Sequence, residues 1–304
     1  MLAPVNGTQT TRACRIRVAP SLAGTQNTSV VLYVDSNGLH RSTDSGTPWT
    51  TVLTGCVTDV EFNPANDNIV WAARATARST TNGAYRCADR GARWQLVCTT
   101  GTPVQRIALA VSPNAPNALW VVEVVDSRME KLMCLDGASV ITIVLTAQGL
   151  CGATSRLDFG TQSAYDLVLE VDPQDANTVI LGGSCMYRSR DGGQSFSVVA
   201  YDLHVDWHAF KYAPSDPTVI VGGNDGGVHA SYDHGDSWVS RNTNIAVTQF
   251  YPGIAVHPTI PDSIVGGLQD NSSLRASARS SGRCRRRRVM VDGSPSVPRT
   301  RTCS

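Results

Sequence analysis

An octet of the form Ser-x-Asp-x-Gly-x-x-aromatic recurs along this chain, and a repeat of that kind restricts the fold to one small unit used many times. Ser42, Asp44, Gly46 and Trp49 carry the first copy, and Ser231, Asp233, Gly235 and Trp238 the cleanest. Ser189, Asp191 and Gly193 lead to Phe196 instead of Trp, and Cys87 replaces Ser ahead of Asp89, Gly91 and Trp94. Of a fifth copy only Asp136 and Gly137 remain. The residue types suit a tight turn. A short Asp carboxylate accepts backbone N–H bonds two or three residues on. Gly takes a positive φ that a Cβ opposes. The aromatic residue opens the next strand and buries a large apolar face.

A second periodic feature fixes the register. Apolar-x-Pro triplets end at Pro20, Pro64, Pro113, Pro173, Pro214 and Pro258, spaced 44, 49, 60, 41 and 44 residues apart. Proline donates nothing to a ladder, so each triplet marks a strand end. A second apolar run follows each triplet, a third leads into the octet, and a fourth leaves it. Four strands in a unit of roughly 40–50 residues predict the blade of a β-propeller.

The octets are identified as Asp-boxes, also called bacterial neuraminidase repeats. The chain resembles the Asp-box propellers that include sialidases, xyloglucan-cleaving glycosidases and sortilin-type luminal domains. Over about 205–271 it is most similar to bacterial sortilin-like or glycosyl-hydrolase-like repeat proteins, through His204-Val205-Asp206-Trp207-His208, Gly222 to Val228, Thr248-Gln249-Phe250-Tyr251 and Gly266 to Asn271. The expected fold is all-β: an Asp-box β-propeller of four-stranded antiparallel blades at about 12–55, 56–100, 101–150, 160–202, 203–245 and 246–275. The sixth is expected to be partial and the ring incomplete. Residues 276–304 are expected to form an Arg-rich irregular tail.

Charge divides the chain. Residues 275–301 hold nine arginines and one acid, while the remainder holds 17 basic and 24 acidic residues, a net of −7. A basic arm, a disordered end and translation in a shifted frame are three open readings of that stretch. The acidic body argues against nucleic-acid binding. Nine cysteines show no metal-ligand spacing, so no metal or cofactor is expected, although Cys87 and Cys98 flank one hairpin and could bridge. No stretch approaches a membrane span. No leader is visible in 1–29, which implies a cytoplasmic place for a complete chain; the resemblance implies an extracytoplasmic or secreted one. A monomer is expected.

Alternating strand direction sorts the loops. Turns between third and fourth strands carry the octets at one end. Loops between second and third strands, and the crossings between blades, gather at the other. The resemblance places ligands at that second mouth, so Asp44, Asp89, Asp136, Asp191 and Asp233 are expected to be structural. The ligand-binding candidates are His204, Asp206, His208, Asn224, Gln249 and Gln269. Of these, His204 and His208 are expected to alternate along a strand and share one face.

Asp225 and Asp270 hold matching positions on neighbouring blades and are the candidate acid/base pair for glycoside cleavage. Turn capping is their other reading. Asp225-Gly226-Gly227 resembles the aspartate before Gly-Gly of the xyloglucan-cleaving family; the segment matching that family's partner aspartate, ending Asn82-Gly83-Ala84-Tyr85, has none. Arg15-Ile16-Arg17 is only loosely similar to the sialidase Arg-Ile-Pro motif. The expected function is a module that binds a glycan or extended peptide, with a glycoside hydrolase as the alternative.

Overall fold

The computed structural model describes residues 14–20, 29–76, 79–100, 104–126, 128–137, 139–144, 162–200, 202–245, 249–256, 258–259, 263–269, 271, 273–277 and 287–289. These build six antiparallel sheets of four strands each, and among the described residues there is no α-helix.

The first sheet is β1 (Arg15–Val18), β2 (Val31–Val34), β3 (Gly38–Ser42) and β4 (Thr50–Thr54). The second is β5 (Val57–Phe62), β6 (Val70–Arg74), β7 (Gly83–Cys87) and β8 (Gln95–Thr99). The third is β9 (Arg106–Ser112), β10 (Ala115–Val125), β11 (Arg128–Asp136) and β12 (Ser139–Val144). The fourth is β13 (Val168–Val171), β14 (Val179–Gly182), β15 (Met186–Ser189) and β16 (Ser197–Val199). The fifth is β17 (Trp207–Ala213), β18 (Asp216–Asn224), β19 (Gly227–Ser231) and β20 (Val239–Ser240). The sixth is β21 (Phe250–Val256), β22 (Ser263–Leu268), β23 (Ser273–Ser277) and β24 (Arg287–Val289).

In every sheet the strands pair in chain order, so each is a meander. The sixth sheet, expected to be partial, has a fourth strand, and that strand comes from the arginine-rich stretch: Arg275 pairs with Arg287. Strand pairing uses backbone groups, so an arginine run can complete a sheet edge without an apolar pattern.

Apolar contacts between successive sheets hold the first five blades side by side. The first strands lie against one another, β1 on β5, β5 on β9, β9 on β13 and β13 on β17. Leu32, Val34 and Leu39 of blade one bury Val60 and Phe62 of blade two. Trp71 and Ala73 meet Leu109 and Leu119; Trp120 and Val122 meet Leu169, Leu181 and Tyr187; Ile180 and Met186 meet Trp207 and Phe210. The second, third and fourth sheets are thus covered on two faces, which is why inner strands such as β6 read as near-continuous apolar runs and not as a strict alternation.

Among the described residues the sheets do not close into a ring. Ile16 and Val18 of blade one are about half exposed, whereas their counterparts Val60 and Phe62 are buried by the preceding blade. Polar ties run between the first strands as well. Arg15 Nε lies 3.1 Å from Asp59 Oδ1, and Asp59 Oδ2 accepts the Leu109 N–H at 3.0 Å. Arg17 pairs with Glu61. These arginines are therefore engaged between blades and do not form a clamp for a ligand carboxylate.

All four well-formed octets lie between third and fourth strands and share one hydrogen-bond set. Ser231 Oγ donates to Asp233 Oδ1 at 2.7 Å and accepts the Gly235 N–H at 2.8 Å, and Asp233 Oδ1 accepts the Ser237 N–H at 2.8 Å. The Cys87 and Ser189 copies repeat these bonds, with the Cys87 thiol replacing the hydroxyl. The Ser42 copy repeats the first two, but Pro48 stands where Ser237 does and has no N–H, so Asp44 Oδ1 accepts the Thr47 N–H instead. The second residue of each turn and its Gly both have positive φ in the Gly46, Gly91, Gly193 and Gly235 copies. The Ser237 hydroxyl and amide hold Asp233 down to about 2, and Ser195 does the same for Asp191. In the degenerate copy, Asp136 instead pairs across a short hairpin with Ser139.

Cys87 and Cys98 do not bridge; both thiols are free. Cys87 faces Val70 across one ladder and Cys98 faces Ala84 across another, so the third and fourth strands hold them out of register. Cys185 is disulfide-bonded. No described helix is long and apolar enough to cross a membrane.

Candidate functional site

A cleft of about 380 Å³ opens at the end of the blades away from the octets, lined by Gln162, Tyr165, Asp166, Asp206, Asn224, Asp225, Gln249, Gln269 and Asn271. Topology puts them together. Gln162, Tyr165 and Asp166 lie on the crossing into β13, Asp206 on the crossing into β17, and Gln249 just before β21. Asn224 and Asp225 form the turn from β18 to β19, and Gln269 and Asn271 lie between β22 and β23. Strand starts and second-to-third turns share one end of a meander, so three successive blades contribute to one mouth.

Of the residues expected from the sequence, Asp206, Asn224, Asp225, Gln249 and Gln269 line this cleft. His208 sits in its wall, and Asp270 lies outside the described residues. The expected shared face of His204 and His208 is not formed. β17 starts at Trp207, and Asp206 has a φ of 65°, which breaks the alternation between the two histidines. His204 Nδ1 meets the Val205 carbonyl, and its side chain packs where a Cβ on Gly226 would lie, only 2.4 Å away. His208 alone turns inward.

His208 is held between two carboxylates. Its Nε2 lies 2.8 Å from Asp225 Oδ1 and its Nδ1 lies 3.4 Å from Asp166 Oδ1. The Tyr165 ring stands edge-on to the imidazole at 5.1 Å and is 70% exposed. Asp225 thus turns its carboxylate to a side chain and does not cap its own turn. Asn224 caps the turn in its place. Its Nδ2 donates to the His204 carbonyl at 2.6 Å, and its Oδ1 accepts the Gly226 N–H at 3.0 Å. Asn271 Nδ2 donates to the carbonyls of Asp225 and Gln269, at 3.2 and 3.0 Å, and joins blade six to the turn.

Gln162, Tyr165 and Asp166 were not legible as site residues from the resemblance. The usable signal is positional, because they occupy in blade four the crossing that Asp206 occupies in blade five. Asp166 is fully buried, and neither of its oxygens accepts a hydrogen bond. Desolvation raises its pKa to about 6; His208 opposes that shift, and the Asp206 and Asp225 carboxylates add to it.

An acid with a raised folded-state pKa binds its proton more tightly when folded. Its contribution to stability is therefore greatest below the unfolded value near 3.9 and declines as pH rises through about 6. Asp166→Asn is expected to remove this decline, so that the variant gains stability over wild type above pH 6. Urea unfolding across pH 4–8 checks it; a parallel offset at every pH is the contrary result.

No protein-family model matches the sequence, and no curated protein does. Solved structures do match. The fold is similar to that of the GH74 xyloglucanase from Xanthomonas campestris, with a TM-score of 0.59 and 16% identity over 85% of this chain and 44% of that one. It is also similar to the GH74 enzyme of Niastella koreensis, with a TM-score of 0.55 and 14% identity over 84% of this chain and 42% of that one. The chain spans less than half the length of either enzyme. At these identities the likeness is one of fold: this is an all-β chain of six four-stranded blades in the β-propeller manner of those two enzymes.

Proposed function

We propose that this Asp-box propeller binds a glycan in the cleft opposite the octets. One observation carries the reading: an exposed aromatic ring, Tyr165, stands at a cleft whose other lining side chains are carboxylates and amides. A sugar presents an apolar C–H face that packs on an aromatic ring, and hydroxyls that pair with acceptor-rich side chains. An extended peptide fits less well. Peptide recognition by strand addition needs a free sheet edge and pockets for alternate side chains. Among the described residues, no aliphatic side chain lines this cleft.

Calorimetric titration with tetrasaccharides that are neutral, N-acetylated or amine-bearing tests the reading. One-site saturable binding is expected with at least one of them. Tyr165→Ala is expected to weaken it on the order of tenfold, the loss of one ring–sugar contact. Failure of every sugar to bind, or affinity unchanged in Tyr165→Ala, would refute it.

A second reading, glycoside hydrolysis, draws on Asp206 and Asp225 lining the same cleft. If it holds, Asp225→Asn abolishes release of reducing ends from a polysaccharide panel while the protein stays folded. Wild type releasing none removes the reading.

A further inference from the structure

Three carboxylates, Asp166, Asp206 and Asp225, line the cleft, and among the described residues no lysine or arginine does. The basic side chain in contact with them is His208, set between Asp166 and Asp225. Arg106 lies behind the crossing. Its guanidinium donates to the carbonyls of Ala164, Tyr165 and Leu167 at 3.4, 2.7 and 3.2 Å, so it faces the backbone side of that segment and does not line the cleft. The second observation is Asp166 itself. It is fully buried, it lines the cleft, and neither oxygen accepts a hydrogen bond. Its charged neighbour of opposite sign is His208, with Nδ1 3.4 Å from Oδ1, and that one imidazole is shared among three carboxylates. A concave wall with an excess of one sign of charge focuses potential into the opening, and a desolvated carboxylate that accepts no hydrogen bond favours a further positive charge nearby.

We propose that the cleft selects a glycan carrying a protonated amine, of the glucosamine-oligomer class, over neutral or acidic glycans. The inference rests on the glycan-binding reading above and names the class of sugar for that same site. An ammonium has three N–H donors and no acceptor. The carboxylate oxygens of Asp206 and Asp225 supply acceptors, and the amide oxygens of Gln249 and Gln269 supply further ones beside them. The exposed Tyr165 ring offers the sugar a stacking face. N-acetylation removes the charge and two of the three donors while leaving the sugar ring in place. A carboxylate-bearing sugar meets like charge.

The test is calorimetric titration of the full chain, at a pH where the amine is protonated, with a glucosamine tetramer, its N-acetylated form, a neutral glucose tetramer and a lysine-containing tetrapeptide. The amine sugar is expected to bind on the order of tenfold tighter than the acetylated and neutral sugars. Raising salt from 50 to 500 mM is expected to narrow that gap. Asp206→Asn and Asp225→Asn are expected to erase the preference, so that each variant binds the amine sugar and the neutral sugar with affinities within about twofold of one another. Asn tolerates the positive φ of position 206, and circular dichroism checks the fold of both variants. Equal or tighter binding of the acetylated or neutral sugar overturns the amine proposal and leaves the glycan reading standing. Tightest binding by the peptide, or no binding by any sugar, overturns both.

Discussion

Trp207→Ala is expected to lower the free energy of unfolding by about 3–5 kcal/mol and to abolish glycan binding together with it. Trp207 is among the largest fully buried side chains, at 1% exposure. It packs against Trp238 and His229 with ring centroids 5.7 and 5.8 Å away. The surrounding chain is built for it: a Cβ on Gly222 would lie 2.6 Å from its ring. Its backbone N–H donates to the Gly183 carbonyl at 2.8 Å, and the Asp206 N–H donates to Ser184, so the start of β17 is hooked onto blade four. Asp206 and His208 flank Trp207 in sequence. Truncation leaves a cavity under both and releases the wall of the cleft. Urea unfolding and sugar titration on the same sample check the two effects. A stability loss under about 1 kcal/mol would contradict the packing argument.

Gly83→Ala is expected to cost about 3 kcal/mol of stability and to leave the cleft intact. Gly83 opens β7 with a φ of 142°, and a Cβ there would lie 1.9 Å from the Cys98 carbonyl oxygen. That atom is backbone of the neighbouring strand, so relief requires β8 to move. Blade two is separated from the cleft by blade three, and no residue of it lines the cleft. The variant should therefore bind sugar with wild-type affinity at temperatures where it remains folded. Equal loss of affinity and stability would mean that the blades do not act as separable units.

The octets and proline triplets made the unit legible because turn chemistry is local. Asp233, Ser231 and Gly235 interact within five residues, and one strand order follows in every sheet. That Asp206, Asn224, Asp225, Gln249 and Gln269 gather at one end was legible because strand direction decides which end a loop reaches, and all five line the cleft. What stayed hidden depends on contacts between blades. Asp166 and Tyr165 carry no local motif, and they come to line the cleft only when blade four is set beside blade five. The alternation expected of His204 and His208 failed at Asp206, where a left-handed backbone ends the crossing and β17 begins one residue later. β24 was hidden for a different reason: it joins the sixth sheet through backbone pairing, which leaves no apolar pattern to read.

Hydrogen exchange on the full chain, with and without a saturating glycan from the titration panel, tests most directly whether the ligand mouth lies opposite the octets. Protection is expected in the segments around 162–167, 204–208, 224–226 and 249, with the turns at Asp44, Asp89, Asp191 and Asp233 unchanged. Protection concentrated at those four turns would contradict it.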